Sequence, residues 1–322
     1  MRWLVTLPLL VMLGCALQSL SPQAAAQSRK SSSCHAAPRG ARIAFRHTRS
    51  RMLAKLGSPR HRGADVIALD GDENQTLGGK LAYTKVDKDL EDEDVHLFAC
   101  TVSRTGGTWR SLGVARTNGD GRFTLALAGS NRLPVGTTDL YAHVPGDGSG
   151  TWFLGYVARR DEQVIVSDID GTITSSENAV YLALFGKDIA HQPDAPEVYA
   201  QSGKTIVYVT ARGDQLTDVT RAWLAAHGFP RGPLRLASSM VTLPGRRTVA
   251  LKTRTLAQLR VPIAAGIGNR ASDITAYRNI GLAAERIFIN LPEFTTELSV
   301  KLAAGEATAF DDYADLRVAL RR

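Results

Sequence analysis

The segment Val164-Ile165-Val166-Ser167-Asp168-Ile169-Asp170-Gly171-Thr172-Ile173-Thr174 constrains this chain more than any other. Four apolar or small residues suit a short strand buried inside a parallel sheet. Two carboxylates two residues apart follow where such a strand would end, and Gly171 lets the backbone turn tightly. Ligands of open α/β sheets bind at such strand ends. Two ionised acids there repel each other unless a cation, a shared proton or a nearby Lys intervenes. The combination points to Mg²⁺ and phosphate chemistry.

From about Glu162 the chain alternates strands with helices. The expected strands are Val164–Ser167, Thr205–Val209, Leu234–Ala237, Ala264–Ile267 and Arg286–Ile289. The expected helices are Asn178–Leu184, Asp214–His227, Val249–Leu259 and Ala271–Asn279, with two more at Thr295–Ala303 and Asp311–Leu320. Strict βα alternation argues for an α/β class, a Rossmann-like parallel sheet covered on both faces, spanning residues 161–322. Residues 64–160 differ. Short apolar runs such as Val95–Cys100 and Arg122–Leu127 recur between Gly-rich turns. That spacing predicts a small antiparallel β-sandwich, immunoglobulin-like in size, with Asp-Gly pairs acting as turn formers. No chemistry is expected from it.

The N-terminal part is read from charge and hydropathy. Residues 1–26 have a basic start, an apolar run from Trp3 to Leu13, and a small-residue stretch at Ala24–Ala26. This is the layout of a signal peptide, and it predicts an exported protein, periplasmic or secreted. Gly14-Cys15 leaves lipoprotein processing open. No other stretch is long and apolar enough to span a bilayer. With Cys15 removed or modified, Cys34 and Cys100 remain, either bridged or as two thiols. Residues 27–63 hold ten Lys or Arg and no acid. Removing those ten and Arg2 from the net charge of +8 leaves −3 for residues 64–322. The basicity therefore belongs to one partly disordered segment. Its 29–62 portion suits an anionic membrane surface, and no nucleic acid is expected. Ala41–Leu56 suggests a weakly amphipathic helix there.

Four places carry residues suited to phosphoryl chemistry and gather at one sheet edge in a doubly wound sheet. They are Asp168 with Asp170, Thr210, Lys252, and Gly268-Asn269-Arg270 with Asp273. A carboxylate can attack phosphorus, a second acid can move protons, and a Thr hydroxyl with an ammonium can hold phosphoryl oxygens. A third carboxylate completes an oxygen shell for Mg²⁺. Each residue alone also has an ordinary reading. Thr210, Asn269 and Asp273 suit helix caps, and Lys252 suits a solvated helix face. Their occurrence in order favours a site.

These motifs, in that order, resemble the haloacid dehalogenase-like superfamily, and more closely the lipin family of phosphatidate phosphatases. Asp168-Ile169-Asp170-Gly171-Thr172-Ile173-Thr174 is similar to the lipin form of the first motif. Gly186-Lys187-Asp188 with His191-Gln192, Thr210-Ala211-Arg212, and Gly268-Asn269-Arg270 with Asp273, Tyr277 and Gly281 resemble later lipin segments. The resemblance covers residues 160–293. It implies Asp168 as nucleophile and Asp170 as general acid and base. Asp168, the Asp170 carbonyl, Asp273 and Asn269 would surround Mg²⁺, while Thr210, Ala211 and Lys252 would hold the phosphoryl group. The substrate would be a phosphate monoester on lipid, with phosphatidate the leading candidate.

A related domain of phosphatidylinositol-transfer proteins also resembles this one and is associated with phosphatidate binding without hydrolysis. A non-catalytic phosphatidate-binding module is therefore one alternative to the enzyme. A periplasmic phosphatase for small soluble esters is another.

Overall fold

A computed structural model describes residues 34, 36–38, 40, 42–103, 106–176, 189–238, 246–291 and 293–321. The expectations for residues 1–26 including Cys15, for the helix at 178–184 and for Gly186-Lys187-Asp188 lie outside the described residues. No helix among the described residues is long and apolar enough to cross a membrane.

Helix α1 (Thr48–Leu56) comes first, shorter than the expected Ala41–Leu56. Ten strands follow: β1 (Arg62–Ala64), β2 (Val66–Leu69), β3 (Gln75–Lys80), β4 (Ala82–Tyr83), β5 (Lys88–Asp89), β6 (Asp94–Ser103), β7 (Gly106–Arg116), β8 (Arg122–Leu127), β9 (Gly136–His143) and β10 (Gly150–Ala158). One sheet has the order β1-β3-β8 and the other β2-β10-β9-β6-β7, with β4 and β5 as a separate pair. Leu77, Phe123 and Leu127 of the first sheet meet Val66, Leu97, Leu140 and Phe153 of the second in one buried core. Phe45, Leu53 and Ala54 pack on the same core from the N-terminal side.

The sandwich departs from the expected antiparallel pattern at one place, because β2 pairs with β10 in parallel. Strand-to-strand direction over a long sequence separation leaves no local signal. Of the two states left open for the cysteines, the bridged one is found: Cys34 and Cys100 form a disulfide.

The second half contains β11 (Val164–Ser167), α2 (Ala195–Gln201), β12 (Thr205–Gly213), α3 (Thr217–Ala226), β13 (Leu234–Ala237), α4 (Arg246–Ala257), β14 (Ile263–Gly268), α5 (Ala271–Asn279), β15 (Ile287–Asn290), α6 (Thr295–Ala303), β16 (Thr308–Phe310) and α7 (Leu316–Arg321). Its sheet runs β13-β12-β11-β14-β15-β16, and every pairing is parallel. Side chains alternate along β11. Ile165 faces a cluster with Tyr199, Ile206, Ile267 and Tyr313, while Val164 and Val166 face another with Leu256, Ile274, Tyr277 and Leu298. Both faces are thus covered, as parallel sheets require. Strand order reverses between β11 and β14, the switch point at which such sheets bind ligands.

Two expectations shift. β12 runs on through Gly213, so Thr210 lies within the strand and not directly after it. The expected helix at Asp311–Leu320 is a 3₁₀ turn, Tyr313–Asp315, followed by α7.

Asp65 locks the halves together. Its side chain is fully buried. It accepts hydrogen bonds from the Leu154 N–H of β10 at 2.7 Å, the Leu234 N–H of β13 at 2.8 Å and the Arg221 guanidinium of α3 at 2.9 Å. Arg235 donates to the Asp65 backbone carbonyl. Removing one partner of a buried charge pair is costly, so Asp65→Ala is expected to lower unfolding stability by about 3–5 kcal/mol, measured by chemical denaturation.

His61 is buried beside Tyr83, with the Ala82 N–H donating to its Nδ1 and Ser149 Oγ at 2.8 Å from Nε2. Burial pushes its pKa down from the ordinary 6.5 to about 4, against the opposing pull of Asp147. A lowered folded-state value means that the contribution is complete above pH 6.5 and is lost as pH falls through the window down to about 4. The loss amounts to about 3 kcal/mol. A His61→Gln variant is expected to lack this part of the stability-versus-pH profile, read as the difference from wild type.

Candidate functional site

Asp168 follows β11 directly, and its N–H donates to the Ile267 carbonyl of β14 at 2.9 Å. Gly171 turns the chain at φ +70°. The loop is then tied down from several sides. The Gly171 N–H donates to Thr174 Oγ1 at 2.8 Å, and the Thr172 carbonyl accepts from Asn290 Nδ2 at 3.1 Å and from the Tyr313 hydroxyl at 2.8 Å. The strand end is therefore rigid, and both acids have fixed positions.

Lys252 reaches into this edge from α4 and is buried. Its Nζ lies 3.0 Å from Asp168 Oδ1 and 2.5 Å from Asp273 Oδ1. Burial would lower its pKa, but the charges of Asp168 and Asp273 outweigh that and hold it above the ordinary lysine value. Asp273, at the start of α5, also accepts from the Asn269 and Arg270 N–H groups, at 3.1 and 3.0 Å. Thr172 Oγ1 lies 3.3 Å from Asp168 Oδ2 and 3.1 Å from Asn269 Oδ1. Asp168, Lys252, Asn269 and Asp273 thus meet as expected, with Lys252 as the link.

Asp170 has a different partner. Arg212 clamps it: Nε lies 2.9 Å from Oδ2 and Nη2 lies 2.6 Å from Oδ1. Thr210 Oγ1 adds a bond to Oδ2 at 3.1 Å. Thr210 and Arg212 sit two residues apart in β12, so both project from the same face of the strand. Arg212 Nη1 is anchored on Thr220 Oγ1 at 3.1 Å. Both oxygens of Asp170 are consequently occupied.

Sequence alone did not single out Arg212 as the partner of Asp170. Its alternation with Thr210 in an extended strand is the signal that could have paired it with Asp170. Arg270 pairs with Glu297 at 2.7 Å and covers the Phe294 ring. Ala211 lies between Thr210 and Arg212 in the strand. His191 packs its ring against His227 and Phe229.

The oxygens of Asp168, Asp273, Asn269 and the Asp170 backbone are the hard donors that Mg²⁺ prefers. The single Lys252 ammonium lies between the two carboxylates and offsets one of their two charges. Among the described residues no three His, Cys, Asp or Glu form a ready-made metal cluster. The donor chemistry fits the ion, which would have to share these carboxylates with Lys252.

Removing the Lys252 ammonium would leave two carboxylates facing each other without compensation. Lys252→Met is expected to cost about 3–5 kcal/mol of stability at neutral pH, as read from denaturant unfolding.

Residues 165–290 match the model of the LNS2 domain of PITM 1-3, and residues 59–157 match the beta-sandwich domain of the same proteins. The LNS2 domain is lipin-like, so the resemblance holds at that coarser level. Mouse membrane-associated phosphatidylinositol transfer protein 3 is 28% identical over 256 residues, covering 78% of this chain and 26% of the relative. Rat membrane-associated phosphatidylinositol transfer protein 1 is 26% identical over 249 residues, covering 76% and 19%. The Drosophila melanogaster protein retinal degeneration B is 26% identical over 272 residues, covering 83% and 20%. The chain therefore spans a fifth to a quarter of the length of these relatives.

These relatives overturn one expectation. The N-terminal reading pointed to an exported protein, periplasmic or secreted, whereas the relatives are named as membrane-associated transfer proteins. A basic start and a short apolar run make a generic pattern.

Proposed function

We propose that this chain recognises a phosphate-bearing membrane lipid, with phosphatidate as the ligand class, at the edge built by Asp168, Thr210, Lys252 and Asp273. The observation that carries this reading is the clamp on Asp170. Arg212 and Thr210 occupy both of its oxygens, so the residue that would shuttle protons is engaged elsewhere. A buried ammonium at a switch point is suited to holding phosphate oxygens, and the Thr210 hydroxyl would join it by turning its one proton from Asp170, which Arg212 still holds at both oxygens. Mg²⁺ held by Asp168, Asp273, Asn269 and the Asp170 carbonyl would offset the acids and let an anion approach. Relatives named for phosphatidylinositol transfer support a phospholipid as ligand.

The approach to a bilayer has a candidate surface as well. Helix α1 exposes Met52 and Leu56, 55% and 76% accessible, beside Arg51 and Lys55, which have no ion-pair partner among the described residues. Apolar and basic residues on one short helix suit an anionic interface.

A second reading is hydrolysis, and the complete set Asp168, Asp170, Thr210, Lys252 and Asp273 favours it. An Asp168 oxygen would bond to phosphorus while the ester oxygen leaves with a proton from Asp170. Water would then cleave the acyl phosphate, returning its proton to Asp170. Asp170 would first have to leave Arg212.

The two readings separate on vesicles containing phosphatidate, with and without Mg²⁺. Binding is expected to need Mg²⁺ and to weaken about tenfold in Thr210→Ala, with no inorganic phosphate released. Phosphate release by wild type that Asp168→Asn abolishes would establish hydrolysis instead. Absence of phosphatidate-dependent binding would sink the recognition reading.

A further inference from the structure

A cavity of about 800 Å³ lies between the two halves of the molecule, well inside the size range of ligand pockets. Its walls are the 56–62 segment with Thr84 and Lys85 on the sandwich side, and Arg212 with residues 214–219 on the other. Arg212 belongs to this lining and also holds Asp170, so the cavity neighbours the strand edge described above. It is a separate space all the same, because no residue of the Asp168–Lys252–Asp273 cluster lines it.

The charges of the lining are not balanced. Arg62 is paired with Asp87 at 2.7 Å and with Asp214 at 2.9 Å, and Arg212 is paired with Asp170. Arg60 and Lys85 are exposed and have no ion-pair partner among the described residues. They stand against Asp218, the remaining acid of the lining. Two cations from different segments therefore share one space with a single acid, which Arg60 also acts on, and one positive charge is in excess.

The wall between them is strained. Thr84 holds φ +68°, an outlier for a β-branched residue. Its hydroxyl is buried without a hydrogen-bond partner. Gly57 makes room for it, since a Cβ there would lie 2.4 Å from Thr84 Cγ2 and 2.8 Å from its backbone nitrogen. Backbone strain of this kind concentrates at ligand sites. The mouth is amphipathic: Leu56 and Val219 line it and are 76% and 43% accessible.

We propose that this cavity is a second lipid site, which takes the phosphodiester headgroup of an anionic phospholipid. Arg60 and Lys85 meet the phosphate, and Leu56 with Val219 lies against the acyl chains. A cationic pair with exposed apolar neighbours is the complement of an anionic lipid at an interface. The proposal goes beyond monoester recognition at Asp168 and stands if that reading fails.

The test uses the full chain and phosphatidylcholine vesicles with and without phosphatidylserine, which carries no phosphate monoester. Wild type is expected to float with the vesicles only when phosphatidylserine is present. A double variant, Arg60→Ala with Lys85→Ala, is expected to bind about 30-fold more weakly, from about 1 kcal/mol per cation. Two variants fill the cavity without changing charge, one from each wall: Ser58→Trp and Val219→Trp. Both sites are exposed, and Ser58 holds Thr84 through its backbone carbonyl alone. Each filling variant is expected to lose phosphatidylserine-dependent binding by at least about tenfold. Filling variants that bind like wild type, with unaltered unfolding midpoints, would overturn the cavity in favour of diffuse surface charge. So would wild-type binding that ignores phosphatidylserine.

Discussion

Three carboxylates crowd one end of a parallel sheet, and the rest of the site follows from how their charge is met. Asp168 and Asp273 share the Lys252 ammonium, and Asp170 takes the Arg212 guanidinium. Unpaired, these acids would repel one another in a poorly hydrated edge. The compensating cations come from elements that the topology brings together. Lys252 rides on α4, Arg212 on β12 and Asp273 on α5, all around the gap where strand order reverses beside β11. The two cations act differently. Lys252 joins two acids into one rigid cluster able to face phosphate or share a metal, whereas Arg212 immobilises the acid whose movement hydrolysis needs.

The sandwich is part of the same arrangement. Asp65 is its buried contribution to the α/β half, binding backbone N–H groups of β10 and β13 and the side chain of α3. Arg62 and Arg122 both reach across to Asp214, just beyond Arg212. The clamp on Asp170 and the cavity on its other side therefore depend on how the halves seat against each other. The sandwich's own acids at Glu91, Asp92 and Asp94 are met by Arg46, His47, Arg49 and Arg116, and it forms one wall of the space next to the site.

Much of this was legible in the residues. The run Val164–Ser167 and the helix Ala271–Asn279 were placed with their observed bounds, because burial on both sheet faces and a capping Asp leave local marks. The meeting of Asp168, Lys252, Asn269 and Asp273 was legible from motif order. What was not legible depends on distance in sequence. The parallel pairing of β2 with β10 joins segments about 90 residues apart. The short β16 and α2 have too few residues for a period to emerge. Arg212 could be recognised as a clamp only once β12 was known to extend past Thr210. The N-terminal apolar run shows the opposite failure, since a clear local pattern pointed to the wrong compartment.

The most direct test is a crystal structure with Mg²⁺ and a short-chain phosphatidate. The expected result places the phosphate within hydrogen-bonding reach of Thr210 Oγ1 and Lys252 Nζ, with Asp170 still held by Arg212. A phosphate bound away from Lys252, or an Asp170 released from Arg212 and turned toward the ester oxygen, would contradict a recognition site in which the proton-shuttling acid is immobilised.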